Sequence, residues 1–89
     1  MKIYEITFSP KFLKTVKKLK SNLLGEIIQR VDLLKNEKNH GPLKVHKLKG
    51  KLKGRYSFSV DHKNRIVFNY IDDKTIYLLN FGGHEIYDL

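Results

Sequence analysis

Eighty-nine residues make one domain, 1–89, near the lower end of the usual size range, so its core is thin and much of its surface wet. The absence of cysteine excludes a disulfide framework and a thiolate metal site, leaves packing as the source of stability, and suits a reducing cytoplasm. Lys and Arg outnumber Asp and Glu 18 to 9, and the resulting formal charge of +9 opposes compaction and attracts polyanions.

No apolar run approaches the roughly 20 residues of a membrane span, so no membrane role is expected. The opening Met1-Lys2-Ile3-Tyr4-Glu5 lacks the apolar centre of a secretory signal. In the stretch that follows, Tyr4, Ile6 and Phe8 alternate with polar residues, which predicts a β-strand. Ser9-Pro10 is a helix start, since serine caps free amides and proline fits the first helical position. Phe12, Leu13, Val16 and Leu19 recur at helical spacing, with lysines elsewhere around the helix. Ser21-Asn22 breaks this helix and can cap a second, whose apolar stripe is Leu24, Ile27, Ile28, Val31 and Leu34, with Gly41-Pro42 as a stop. The two helices are expected to form an antiparallel hairpin.

Residues 43–54 form a basic connection. Lys44, Lys47, Lys49, Lys51 and Lys53 occur there, with Arg55 just beyond and no acidic residue among them, and Gly50 and Gly54 argue against a regular helix. A β-meander follows. Tyr56, Phe58 and Val60 alternate with Arg55, Ser57, Ser59 and Asp61; Asp61-His62-Lys63-Asn64 is turn chemistry; residues 65–71 make the next strand; Asp72-Asp73-Lys74 turns into the last, which ends at Gly82-Gly83. The order is β-α-α-β-β-β, an α+β domain with a helical hairpin on one face of a mainly antiparallel four-stranded sheet.

That arrangement leaves one sheet face open for chemistry. Arg55, Ser57 and Ser59 point to it by the period of two, and so does Arg65 if Ile66, Phe68 and Tyr70 face the core. Val67 and Ile71 share Arg65's phase and need cover, from the C-terminal tail or from a partner segment. The glycine pair is expected to swing the chain off the sheet by its backbone freedom, delivering His84 and then Tyr87. Metal-free RNA cleavage needs a base for the 2′-hydroxyl, an acid for the leaving 5′-oxygen and cations for the phosphorane. Histidine, with an ordinary pKa near ~6.5, serves as either acid or base, and arginine's planar fork suits phosphate.

His84 is the candidate acid and Arg65 the candidate phosphate ligand. His46, inside the basic loop, is a candidate base, with a solvated loop histidine as the alternative. His62 is assigned to a turn and His40 to the helix end. Tyr87 and Tyr70 are either site or packing residues. Lys47, Lys49, Lys51, Lys53 and Arg55 are expected to bind RNA phosphates. No His-x-x-x-His pair and no carboxylate cluster beyond Asp72-Asp73 is present, so no metal is expected, and no nucleotide-binding fingerprint calls for a cofactor.

Taken together, the opening strand, Ser9-Pro10 into the helical hairpin, the loop Leu48-Lys49-Gly50-Lys51-Leu52-Lys53-Gly54, the strand Asn64-Arg65-Ile66-Val67-Phe68-Asn69-Tyr70 and the ending Phe81-Gly82-Gly83-His84-Glu85-Ile86-Tyr87 resemble the RelE/ParE superfamily of toxins. The ending is similar to the Gly-x-His-x-x-(Tyr/Phe) close of the YafQ-like and YoeB-like branches. The resemblance implies a ribosome-dependent endoribonuclease that cuts mRNA in the decoding site and is silenced by a cognate antitoxin. It also implies His84 as the catalytic histidine, Arg65 as the phosphate-contacting arginine, His46 as the loop histidine and Tyr87 as the terminal aromatic. Ser59 and Lys63 stand where the YafQ-like branch has a further histidine and an aspartate, and the YoeB-like glutamate base has no counterpart in the loop, which leaves the general base open. A ParE-like toxin that binds DNA gyrase and a non-catalytic basic RNA-binding module are the alternatives.

Overall fold

The structure, a computed structural model, describes residues 2–87, the side chain of Tyr87 excepted. Strand β1 (Glu5–Phe8) leads into helices α1 (Pro10–Val16) and α2 (Ser21–Leu34), then into β2 (His46–Lys47), β3 (Tyr56–Ser59), β4 (Arg65–Tyr70) and β5 (Thr75–Gly82). The sheet order is β1-β5-β4-β3-β2. Only the β1–β5 pairing is parallel, and the meander β2–β5 is antiparallel throughout. The expected α+β architecture is present. A fifth strand comes from the basic connection, where His46 and Lys47 pair with Ser57 and Tyr56.

Helix α1 begins as its sequence predicts. Ser9 Oγ accepts the Phe12 N–H at 2.9 Å, and Pro10 fills the first turn. The same hydroxyl donates to the Leu79 carbonyl at 2.8 Å, which ties the helix start to β5. Helix α2 differs from expectation at both ends. Ser21 is its first helical residue, while Lys20 occupies the cap position without a side-chain bond. Its end comes at Leu34, well before Gly41-Pro42. The Asn39 amide donates to the Leu33 carbonyl and His40 Nε2 to that of Leu34, both at 2.8 Å, so side chains satisfy carbonyls that a longer helix would have bonded. His40 thus belongs to the helix end, as expected.

The core lies between the helical hairpin and one sheet face. Phe12, Val16, Ile27, Val31 and Leu34 from the helices meet Phe58, Ile66, Phe68, Ile76, Leu78 and Phe81 from the strands. Phe68 is central, with its ring 5.7 Å from Tyr56 and 6.0 Å from Phe58. The buried stripe of α2 is narrower than predicted, because Ile28 is 63% exposed. It lies beside an apolar groove of about 500 Å³ between the helices and β1.

One irregularity decides the rest. Val67 pairs with Asn80 but Phe68 with Leu78, which leaves Leu79 as a bulge. A bulge inserts one residue and re-aims the strand beyond it. Ile76 and Leu78 face the core, and so does Phe81; Asn80 and Gly82 are therefore turned to the opposite face.

Candidate active site

Asp61 builds the turn that starts β4. Its Oδ1 accepts the N–H groups of Lys63 and Asn64, each at 2.8 Å. Those backbone donors, together with the Asn64 amide, hold its carboxyl below the usual range. The turn delivers Arg65 to the first position of β4, across from Ser59 on one side and Gly82 on the other. Ile66 and Phe68 are fully buried in the core, so by alternation Arg65 and Val67 lie on the helix-free face. One row along that face runs Ser59–Arg65–Gly82, and the next runs His46–Ser57–Val67–Asn80.

Ser57 and Val67 are buried although no helix covers them. Leu52 and Ile86 are also buried yet stand apart from the main core cluster, and Ile86 Cγ2 lies 2.6 Å from where a Cβ on Gly82 would project. Val67, expected to need cover, is 3% exposed. Ile71, which shares its phase, is 57% exposed.

The glycine pair has a different purpose from the one expected. Among the described residues the positive-φ glycines are Gly50 and Gly54, which frame the basic loop, and neither Gly82 nor Gly83 is one of them. What requires glycine here is space. A Cβ on Gly82 would lie 2.6 Å from Ile86 Cγ2 and 2.9 Å from Glu85 Oε1, and one on Gly83 would lie 2.7 Å from Glu85 Oε2. The tail folds back onto its own strand end, into the space that a side chain at either glycine would enter.

His84 opens the 3₁₀ turn His84–Tyr87 and is exposed. It stands two residues beyond Gly82, the cross-strand partner of Arg65. One strand spacing plus two residues of chain limits the separation of the two backbones to roughly 12 Å. His46 lies on the same face, two strands over, on the order of 12 Å from Arg65 by strand geometry. It is exposed, with Nδ1 3.0 Å from the Lys44 carbonyl. A carbonyl only accepts, so a neutral His46 carries its proton on Nδ1 and turns the lone pair of Nε2 outward.

Arg55 precedes β3, and Lys49, Lys51 and Lys53 surround the 3₁₀ turn Gly50–Leu52; all four are exposed. Among the described residues, none of them forms an ion pair. Lys47 does not join them, because it pairs with Tyr56, whose ring stacks in the core, so it projects from the sheet edge on the helix side. His62 is exposed in the β3–β4 turn, which abuts the tail through the Lys63 carbonyl, 3.4 Å from a Cβ built on Gly83. Tyr87 ends the 3₁₀ turn, but its side chain lies outside the described residues. Tyr70 is on the core side, its ring 4.8 Å from that of Tyr56, and burial pushes its phenol up to about 12.

Glu85 is the site residue that sequence reasoning missed. Its Oε1 accepts the Gly83 N–H at 2.9 Å. Backbone N–H groups, its own and that of Gly83, hold its carboxyl below the usual range, with the charge of His84 adding to the effect. The available signal was a carboxylate placed directly after the histidine and close behind two glycines. Among the described residues no three His, Asp or Glu side chains group as metal ligands, and no helix is long and apolar enough to cross a membrane.

These features define a small basic α+β protein whose helix-free sheet face carries Arg65 and His46, with the His84 turn following directly on the strand that pairs with Arg65. No family sequence model matches the chain, and no curated protein matches it by sequence. Solved structures do match. The YoeB dimer from Staphylococcus aureus is 31% identical, with 91% of this chain and 97% of that one covered at a TM-score of 0.66. The YoeB–YefM complex from the same species is 28% identical, with the same coverage and a TM-score of 0.73. The DinJ–YafQ toxin–antitoxin complex of E. coli shares the fold at 22% identity, covering 93% of this chain and 94% of that one at a TM-score of 0.73. The chain belongs to the RelE/ParE superfamily of toxins, with YoeB and YafQ proteins among its structural neighbours.

Proposed function

We propose that this protein is the toxin of a toxin–antitoxin pair and a metal-independent endoribonuclease that cleaves mRNA in the decoding site of the ribosome, and therefore acts in the cytoplasm. The observation that carries the reading is the β4–β5 register, which sets Arg65 opposite Gly82 and so beside the His84 turn. A purely binding protein has no use for an imidazole presented next to a phosphate-binding guanidinium.

The chemistry needs no group beyond side chains. His46 Nε2 takes the 2′-hydroxyl proton, and the freed oxygen attacks the adjacent phosphorus. Arg65 stabilises the charge that grows on the non-bridging oxygens. His84 gives a proton to the departing 5′-oxygen, which yields a 2′,3′-cyclic phosphate and a 5′-hydroxyl end. Tyr87 stands next to this centre in sequence as the terminal aromatic. Lys49, Lys51, Lys53 and Arg55 hold phosphates of ribosomal RNA and message, contacts that fix position rather than sequence. The antitoxin is a small acidic protein that covers the basic face by charge complementarity.

Mapping transcript 5′ ends after brief induction tests the reading. New ends within translated codons are expected from the unaltered protein and none from His84→Ala or Arg65→Ala. Full growth inhibition by both variants overturns it. Intact transcripts accompanied by gyrase-dependent DNA damage replace it with the gyrase-binding class.

A further inference from the structure

Glu85 occupies an unusual position for an exposed acid. While exposed to solvent, its side chain folds back toward the two glycines before His84. Oε1 accepts the Gly83 N–H at 2.9 Å, and Oε2 lies over Gly83, 2.7 Å from the place a Cβ there would take. The fold-back closes a ring through residues 83–85, so the peptide that presents the imidazole is held from both sides. Ile86, buried on the same turn, donates its N–H to the Gly83 carbonyl at 3.2 Å. The other nearby carboxylate, Asp61, is committed to its own turn through Lys63 and Asn64.

We propose that Glu85 is a positioning residue for His84, its carboxylate pinning the Gly82–Gly83 turn so that the imidazole meets the leaving oxygen in one fixed geometry. The inference rests on the nuclease reading above. The carboxylate, held below its usual range by backbone amides, is ionised at neutral pH as an exposed glutamate is, so it is a full acceptor under working conditions. A catalytic group misplaced by about 1 Å can lose on the order of 100-fold in rate, whereas affinity set by distant lysines is untouched. The clamp therefore acts on the chemical step and not on docking.

Single-turnover cleavage of mRNA on programmed ribosomes, with toxin in excess, separates the two. Glu85→Ala is expected to lower the limiting rate about 10- to 100-fold without changing the half-saturating toxin concentration. Glu85→Gln keeps an acceptor oxygen of the same reach and is expected to retain most of the rate. Gly83→Ala, whose Cβ displaces the carboxylate, is expected to behave like Glu85→Ala, and the double variant to lose no more than either alone, the non-additivity of a shared contact. An unchanged rate in Glu85→Ala, or a loss confined to half-saturation, overturns the proposal. So does additive loss in the double variant. If the unaltered protein leaves the message intact, the nuclease reading has failed; if the unaltered protein cleaves, His84→Ala is inactive and Glu85→Ala keeps the full rate, only the positioning role has failed.

Discussion

Arg65 stands directly across the β4–β5 pairing from Gly82, and this one register contact determines what the guanidinium is close to. It depends on the Leu79 bulge. In a regular strand, Gly82 would follow Leu78 onto the core face, and the tail beyond it would leave from the wrong side. The bulge reverses that phase over the last residues of the strand, so the turn bearing His84 emerges on the arginine's face. Ser9 reaches the bulge directly through the Leu79 carbonyl, which links the start of α1 to the geometry of the site.

Arginine at position 65 is expected to be irreplaceable by lysine. A point charge neutralises phosphate but lacks the two-pronged geometry that a bidentate contact uses. Arg65→Lys is expected to retain only a few per cent of the single-turnover rate, while Arg65→Ala falls by a further tenfold or so, since removing one preorganised donor costs about 10²–10³ in rate. Circular dichroism should show both variants folded. A lysine variant with full activity would reduce Arg65 to a general cation.

Two glycine-to-alanine changes should have opposite consequences. Gly25 sits exposed in α2, and a Cβ there meets nothing within 4 Å. Gly25→Ala is expected to raise stability by about 0.5–1 kcal/mol, a few degrees in Tm, with activity unchanged. At Gly82 the new Cβ meets Ile86 Cγ2 at 2.6 Å. Gly82→Ala should displace the tail, and the Ile86 amide should exchange with solvent much faster, with cleavage lost in proportion. Equal protection of that amide in both variants would show that the tail is held by something other than this contact.

Ser9→Ala tests the link between helix and bulge. The change removes an N-cap and leaves the Leu79 carbonyl without its hydroxyl donor. The expected cost is about 1–3 kcal/mol in all, which thermal melts would record as a drop of roughly 5–20 °C. Ser9→Thr keeps the hydroxyl and should restore part of it.

Alkaline stability should depend on Tyr70. Burial, reinforced by the neighbouring Tyr4, Tyr56 and Glu37, raises its phenol to about 12, against an ordinary value of about 10. The folded state thus holds this proton more tightly than the unfolded chain. Its contribution is fully present below about pH 10 and is lost as pH climbs through about 12. Melts recorded across that window should show Tyr70→Phe losing less Tm than the unaltered protein. Parallel curves would mean that Tyr70 ionises without cost to the fold.

Much of this molecule was legible in local signals. Alternation in Tyr4–Phe8, Tyr56–Val60 and Ile66–Tyr70 identified the strands, because a half-buried strand repeats every second residue. Ser9-Pro10 marked the first helix through chemistry that acts within one turn. The count of lysines foretold an exposed basic loop, since charge of one sign does not bury. Tertiary contacts decided the rest. His46-Lys47 became a strand because β3 offered it an edge, and that pairing turned Lys47 away from the arginine. The stop of α2 came from Asn39 and His40 reaching back to carbonyls. The phase slip between Leu78 and Phe81, and the face to which it sends Gly82, depended on pairing with β4. Glycine at 82 and 83 answered to the volume of Ile86 and Glu85 rather than to torsion angles, and space of that kind exists only once the tail has folded back.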